Sequence, residues 1–171
     1  ASLALAYTFL PAPEAGYSTV RVGEYVGENN AAWVGHVTAI MSSTFLWLIG
    51  FYLVNNGIKR DRDTGVGQII ATTSISNFKY LLAKAFSNFL VLLTIVFIVM
   101  LMALGLLFYR GSAGPFSFSQ FFLPYLLATI PSVFFVGALA VFMEVIFGRN
   151  TILLNISFFF MFGIIVANVN A

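Results

Sequence analysis

The sequence contains no cysteine and one histidine, His36. Without cysteine there is no disulfide framework, no thiolate nucleophile and no cysteine-based metal site, and a single histidine does not make a zinc cluster. Charge is also scarce, because 8% of the 171 residues are charged, whereas a typical soluble domain has about 25%. A chain with so few charges does not cover a water-facing surface.

Two further absences limit the chemistry of the chain. It contains no Gly-Lys pair and therefore no phosphate-binding Walker loop, which requires that pair before a Ser or Thr. The apolar stretches carry no pair of catalytic carboxylates, no His-Asp set and no Ser-Lys dyad. We therefore expect no cofactor and no enzymatic activity in this chain. With eight basic and six acidic residues, it also shows no patch for nucleic acid.

Apolar residues make up 60% of the sequence and fall into runs long enough to cross a bilayer, which takes about 20 residues each. The predicted fold is an all-α integral membrane protein, a single transmembrane domain over residues 1–171. Its four complete transmembrane helices are predicted at residues 32–54, 85–109, 121–147 and 151–169. Residues 1–10 are apolar but too short to span, so we interpret them as the tail of a preceding span in a longer polypeptide.

The basic residues predict the orientation of these spans. Residues 55–84 and the short turn 148–150 hold six bases, whereas residues 11–31 and 110–120 hold Arg21 and Arg110. Because bases favour cytoplasmic loops, the first two stretches are predicted to be cytoplasmic and the last two extracytoplasmic. The expected location is the bacterial cytoplasmic (inner) membrane.

Residues 55–84, named the charged segment from here on, are predicted to hold a short helix. Val66, Ile69, Ile70 and Thr73 fall at the spacing of one helix face. The side chain of residue 63 or 64, Asp or Thr, is predicted to cap its start.

A second helix is predicted to follow the short one. Ser76 is predicted to cap a helix from about Asn77 to Tyr109. At 1.5 Å per residue this helix is roughly 48 Å long, whereas the hydrocarbon core is about 30 Å thick. Its first turns must therefore project from the core or tilt along the interface.

Residues 59–84, KRDRDTGVGQIIATTSISNFKYLLAK, resemble the permease subunits of type-2 ABC transporters. In that family a span ends in a signature R-D/E-x-x-x-G, which Arg60, Asp61 and Gly65 match. A short hydrophobic helix, a TTPIS-like turn and a YLLGK-like start of the next span follow. This sequence has Ser74 in place of the usual proline and Ala83 in place of the usual glycine.

The resemblance implies that the short helix is a coupling helix, which docks on a cytoplasmic ABC ATPase subunit that binds ATP and Mg²⁺. It also implies a second permease subunit, in a homodimer or a heterodimer, and a transporter that commonly works as an exporter. The residues expected to couple to the ATPase are Arg60, Asp61, Arg62, Asp63, Gly65, Ile69, Ile70 and Thr73. The two isoleucines would form an apolar knob, and the charged residues would hold its register by ion pairing.

An alternative function stays open. The chain could be a non-transporting membrane scaffold whose charged segment recruits a cytoplasmic partner or anionic lipid. The charge cluster at residues 59–63 could equally be solvated and self-compensating, because exposed ion pairs contribute only about 0–1 kcal/mol.

Three residues within the spans are candidate functional groups. His36 and Glu144 are ionisable, and intramembrane ionisable groups are often functional. Packing alternatives exist for both: a neighbouring helix would satisfy His36, and Arg149 would pair with Glu144 at the interface. Pro131 is deep enough to kink its helix, for gating or for packing. Gly35, Ala39 and Ser43 form a ridge of small residues that predicts close approach of another helix.

Overall fold

The computed structural model describes residues 21–22, 25–26, 30–110, 115–148 and 150–169. The predicted tail of a preceding span, residues 1–10, lies outside this part, as does most of the loop at residues 11–31. A pair of two-residue strands, β1 (Arg21–Val22) and β2 (Tyr25–Val26), runs antiparallel with Arg21 opposite Val26. The other regular elements of the described residues are helical.

The α-helices are α1 (Ala31–Phe45), α2 (Phe51–Val54), α3 (Gly57–Asp63), α4 (Val66–Ala71), α5 (Asn77–Arg110), α6 (Phe118–Pro124), α7 (Ile130–Phe147) and α8 (Thr151–Val169). A π-helical turn, Leu46–Gly50, joins α1 to α2, and another, Tyr125–Thr129, joins α6 to α7. Four stretches of the described chain are long and apolar enough to cross a membrane: Ala31–Asp63, Asn77–Tyr109, Phe118–Phe147 and Thr151–Asn168. The predicted all-α fold with four spans is confirmed.

Large apolar side chains remain exposed along these helices. Phe108 is 72% exposed, Ile152 71% and Phe160 65%. A soluble monomer rarely exposes apolar patches beyond a few hundred square ångströms, because water penalises them, whereas lipid chains solvate them without that cost. The helices also satisfy their own backbone groups, as the bilayer core requires. The chain is therefore an integral membrane protein.

The described residues form two compact units. The first contains those up to Thr44 together with Leu93–Pro131, and the second contains Phe45–Leu92 together with those from Ser132 onwards. Each unit has its own packing.

In the first unit, the ridge of small residues on α1 packs against α6 and the turn after it. Gly35 lies against the backbone of Phe121, Ala39 is fully buried, and Ser43 donates a hydrogen bond to the Thr129 hydroxyl at 3.1 Å. A Cβ on Gly35 would lie 2.6 Å from the Phe121 carbonyl oxygen and 2.8 Å from its Cα. The predicted close approach of a second helix is confirmed.

Hydroxyl groups add polar contacts across the same helix pair. The Tyr125 hydroxyl donates to Thr38 Oγ1 at 2.7 Å, and Thr38 Oγ1 in turn donates to the Val34 carbonyl at 2.6 Å. Thr129 Oγ1 donates to the Ala39 carbonyl at 3.1 Å. Hydrogen bonds of this kind between membrane helices contribute about 0.6 kcal/mol each on average.

The second unit contains stacked aromatic pairs, one of them in its core. Phe51 and Phe158 are fully buried and stack with their ring centroids 3.5 Å apart. The Trp47 ring stacks on Phe135 at 5.5 Å, and its Nε1 donates to the Ser132 hydroxyl at 2.6 Å. These contacts hold the end of the first span against α7 and α8.

The structure corrects one capping prediction. The residue before α4 is Gly65, and neither Asp63 nor Thr64 caps that helix. Residues 57–63 instead form α3, a helix that the sequence did not predict, and Thr64 Oγ1 donates to the Arg60 carbonyl at 2.8 Å. Thr64 thus bonds back to the end of a preceding helix, a usual alternative for Thr hydroxyls. Ser76 does cap α5, accepting from the Lys79 N–H at 3.4 Å, as predicted.

The close approach at Gly35 gives a stability prediction. In Gly35→Ala the added methyl meets backbone atoms that cannot rotate away, so we expect the free energy of unfolding to fall by about 1–3 kcal/mol. Thermal unfolding of the purified protein in detergent measures this. The matched control is Gly105→Ala, a helical glycine of the same unit with open space around its Cβ position. Equal melting temperatures for the two variants would contradict the packing described.

Candidate functional site

The charged segment contains α3, α4 and the first turns of α5, and two left-handed residues divide it. Asn56 has φ 65° before α3, and Gly65 has φ 76° before α4. Asparagine tolerates this conformation better than most residues, and glycine adopts it freely. Gly65, the glycine of the family signature, therefore sits where the backbone reverses between the two short helices.

Asp61 is the centre of the polar contacts in this segment. Its Oδ2 lies 2.6 Å from Lys84 Nζ and accepts a hydrogen bond from the Tyr80 hydroxyl at 2.7 Å. The side chains of Lys84 and Asp61 are only 23% and 14% exposed. Hydrogen bonds to charged groups, each contributing about 1.5–3 kcal/mol, are the stronger kind, and here they fasten α3 to α5.

Three of the other charged residues of α3 lie at the surface, whereas Lys59 is half-buried. Arg60, Arg62 and Asp63 are exposed, and Arg62 also lines a cavity beside Asp61. Asp61 differs from them, because it pairs with Lys84 of α5 outside the cluster at residues 59–63.

The two isoleucines of α4 occupy different environments. Ile69 is 68% exposed, whereas Ile70 is half-buried and lines the cavity of about 500 Å³ with Ile58, Asp61 and Tyr80. Ile69 is therefore the outward apolar group. Thr73 is exposed, and its Oγ1 donates to the Ile70 carbonyl at 2.6 Å, closing the end of α4.

Glu144 of α7 is 4% exposed, and its Oε1 accepts a hydrogen bond from the Lys59 N–H of α3 at 2.7 Å. The pairing with Arg149 that we considered lies outside the described residues. The side chain of Glu144 is thus hydrogen-bonded to the backbone of the charged segment.

The other two candidates lie apart from the charged segment. His36 is exposed on α1, where it lines a cavity of about 620 Å³ with Trp33, Gln120 and Pro124. Pro131 is exposed near the start of α7, just after the π-helical turn Tyr125–Thr129. A proline and a π-turn are both recognised causes of helix bending.

Sequence reasoning assigned no site role to Tyr80 or Lys84, although both hold Asp61. They are four residues apart on α5 and so share a face, with Lys84 Nζ 5.9 Å from the centre of the Tyr80 ring. This spacing of four residues is the sequence feature that could have identified the pair.

No local sequence pattern indicates the hydrogen bonds that join the first span to α8. The Asn55 amide donates to Asn155 Oδ1 at 3.0 Å, and the Tyr52 hydroxyl donates to the Asn155 carbonyl at 3.3 Å.

The charged segment combines attachment to the spans with exposed side chains. Among the described residues, no group of three or more His, Cys, Asp or Glu side chains could hold a metal ion. What the geometry offers is an exposed apolar and cationic surface on short helices that are fastened to three spans. The fold defines a helical membrane protein with an exposed charged segment attached to its spans.

The family of ABC-2 transporter proteins matches the chain over residues 12–170. That is nearly the whole sequence, so the chain belongs to this family and is a permease component of an ABC transporter. The resemblance drawn from residues 59–84 is therefore confirmed. No curated protein and no solved structure matches the chain.

The Asp61 contacts predict local stability. In Asp61→Ala, α3 loses its attachment to α5, so the free energy of local opening should fall by about 1–3 kcal/mol and amide exchange over residues 57–71 should accelerate. Hydrogen exchange with mass spectrometry measures this. Asp63→Ala removes an exposed carboxylate from the same helix and should leave the exchange unchanged. Equal acceleration in both variants would contradict the role given to Asp61.

The backbone reversal at Gly65 gives a second local prediction. Gly65→Ala places a Cβ in the left-handed region, which costs about 1–2 kcal/mol, although nothing lies within 4 Å to clash with it. Residues 64–71 should exchange faster while insertion into the membrane is unaffected. The matched control is Gly67→Ala, two residues later in α4, where the added methyl makes only ordinary contacts. A larger effect at Gly67 than at Gly65 would refute this explanation.

Proposed function

We propose that this permease couples ATP hydrolysis by a cytoplasmic ATPase subunit to movement of a substrate across the membrane. The charged segment is the docking element in this proposal. The single observation that carries it is the attachment of Asp61 to Lys84 and Tyr80, which joins an exposed segment to a spanning helix. When a partner moves a segment that is attached in this way, the spanning helix moves with the segment.

The surface of the segment supports docking on a protein. Ile69 is the most exposed large apolar side chain of α4, and Val66 on the same helix is 41% exposed. Arg60 and Arg62 of the preceding helix, α3, are exposed and add positive charge to the segment. Protein interfaces commonly combine a small apolar centre with charged groups at the rim.

Family membership supports the rest of the proposal. ATP and Mg²⁺ would bind the partner subunit, so hydrolysis would occur there and not in this chain. A second permease copy or relative would complete the pathway, and export is the proposed direction. The proposed location is the bacterial cytoplasmic membrane. ATP-driven closure of the partner would shift the population of the packing states of the spans.

Docking is tested by substituting the outward isoleucine. Ile69→Asp replaces an apolar group that the partner would bury, a loss of about 2 kcal/mol or roughly thirtyfold in dissociation constant. Co-purification from mild detergent and the ATPase rate of the reconstituted complex are the measurements. We expect less ATPase subunit bound to the variant, with its amount in the membrane unchanged. Ile69→Val, which keeps an apolar side chain, is the matched control.

Two results would contradict the proposal. If no ATPase subunit co-purifies with the unsubstituted protein, the scaffold alternative becomes the better account. If Ile69→Asp binds the ATPase subunit as tightly as Ile69→Val does, α4 is not the docking surface.

A further inference from the structure

Glu144 is a buried carboxylate in an apolar span. It is 4% exposed and lies in α7, one turn before the helix ends at Phe147. Burying an ionised carboxylate is costly unless it is paired or hydrogen-bonded. Its Oε1 meets this requirement by accepting from the Lys59 N–H at 2.7 Å.

The start of α3 lacks a local acceptor for that N–H. Lys59 is the third residue of α3, so its N–H has no carbonyl partner within the helix. Asn56, the residue before α3, makes no capping hydrogen bond, because its side chain donates to Asn55 and accepts from the Thr151 hydroxyl. The acceptor comes instead from a residue 85 positions away in sequence.

The attachments of α3 and its preceding turn reach three different helices. Asp61 is bound to Lys84 of α5, and Asn55 is bound to Asn155 of α8. The contact between Glu144 and Lys59 reaches α7. Each contact is a hydrogen bond or an ion pair between defined atoms. It therefore fixes both the distance and the orientation between the charged segment and the spanning helix.

We propose that Glu144 is a positioning residue that transmits displacement of the charged segment to α7. This inference rests on the proposed function, since it concerns how motion of the docking element reaches one span. The proposed role requires an oxygen acceptor in the side chain at position 144. A role in packing alone would require only the volume of the side chain.

Two substitutions separate these roles. Glu144→Gln keeps an oxygen that accepts from the Lys59 N–H, whereas Glu144→Leu keeps similar volume and removes the acceptor. If Glu144 were only packed, Leu would be tolerated at least as well as Gln, because apolar replacement of a buried charge is often neutral or stabilising. Val145→Ala, at an exposed neighbour on α7, controls for general disturbance of the helix.

The experiment uses spin labels in the reconstituted complex of permease and ATPase. The 171-residue sequence contains no cysteine, so one introduced cysteine can be labelled selectively before the permease is combined with the ATPase subunit. Phe142→Cys reports on α7 and Phe86→Cys reports on α5, and both positions are more than half exposed. The measurement is the change in label mobility between the nucleotide-free complex and the complex trapped with ADP and vanadate.

The expected result is selective. Glu144→Leu should abolish the change in label mobility at position 142 and leave the change at position 86 intact, because the Asp61 contacts remain. Glu144→Gln and Val145→Ala should behave as the unsubstituted protein does at both positions.

Three results would overturn the inference. They are an unaltered response at position 142 in Glu144→Leu, equal loss at both positions, and a Gln variant as defective as the Leu variant. A different failure belongs to the proposed function: if neither position responds in the unsubstituted complex, nucleotide-driven motion does not reach these spans at all.

Discussion

The ion pair between Asp61 and Lys84, with the Tyr80 hydroxyl on the same carboxylate oxygen, is the contact on which the charged segment depends. α3 and α4 are seven and six residues long, too short to be stable by themselves. Neither helix contains a buried residue, so the two supply little buried area. The position of the segment therefore comes from a small number of polar contacts to the spans.

Polar contacts also help to position the spans, whose surroundings are apolar. Between helices in lipid there is little hydrophobic driving force to select one arrangement, so close packing and hydrogen bonds do so. The same principle operates in the first unit, where Gly35 and Ser43 contact Phe121 and Thr129. It operates in the second unit at Glu144, whose carboxylate is aimed at a single backbone N–H of α3.

Much of this fold could be predicted from the sequence, because a membrane helix is specified by local composition. The run after Ser76 indicated a helix from about Asn77 to Tyr109, and the helix found is Asn77–Arg110. The charged stretch before Thr64 did not indicate α3, since it lacks apolar periodicity and its start is stabilised from α7. The sequence also did not predict the contacts of Asp61 with Tyr80 and of Glu144 with Lys59. Their partners are distant in sequence, and only the tertiary fold brings them together.

The central claim is that the Asp61–Lys84 pair attaches the proposed docking element to a span. A charge exchange tests this claim most directly. Asp61→Lys, Lys84→Asp and the double variant would be compared by the ATPase rate of the reconstituted complex relative to the isolated ATPase. The account predicts that each single variant loses coupling, because like charges then face each other, and that the double variant recovers most of it. Single variants with normal rates, or a double variant as defective as the singles, would contradict it.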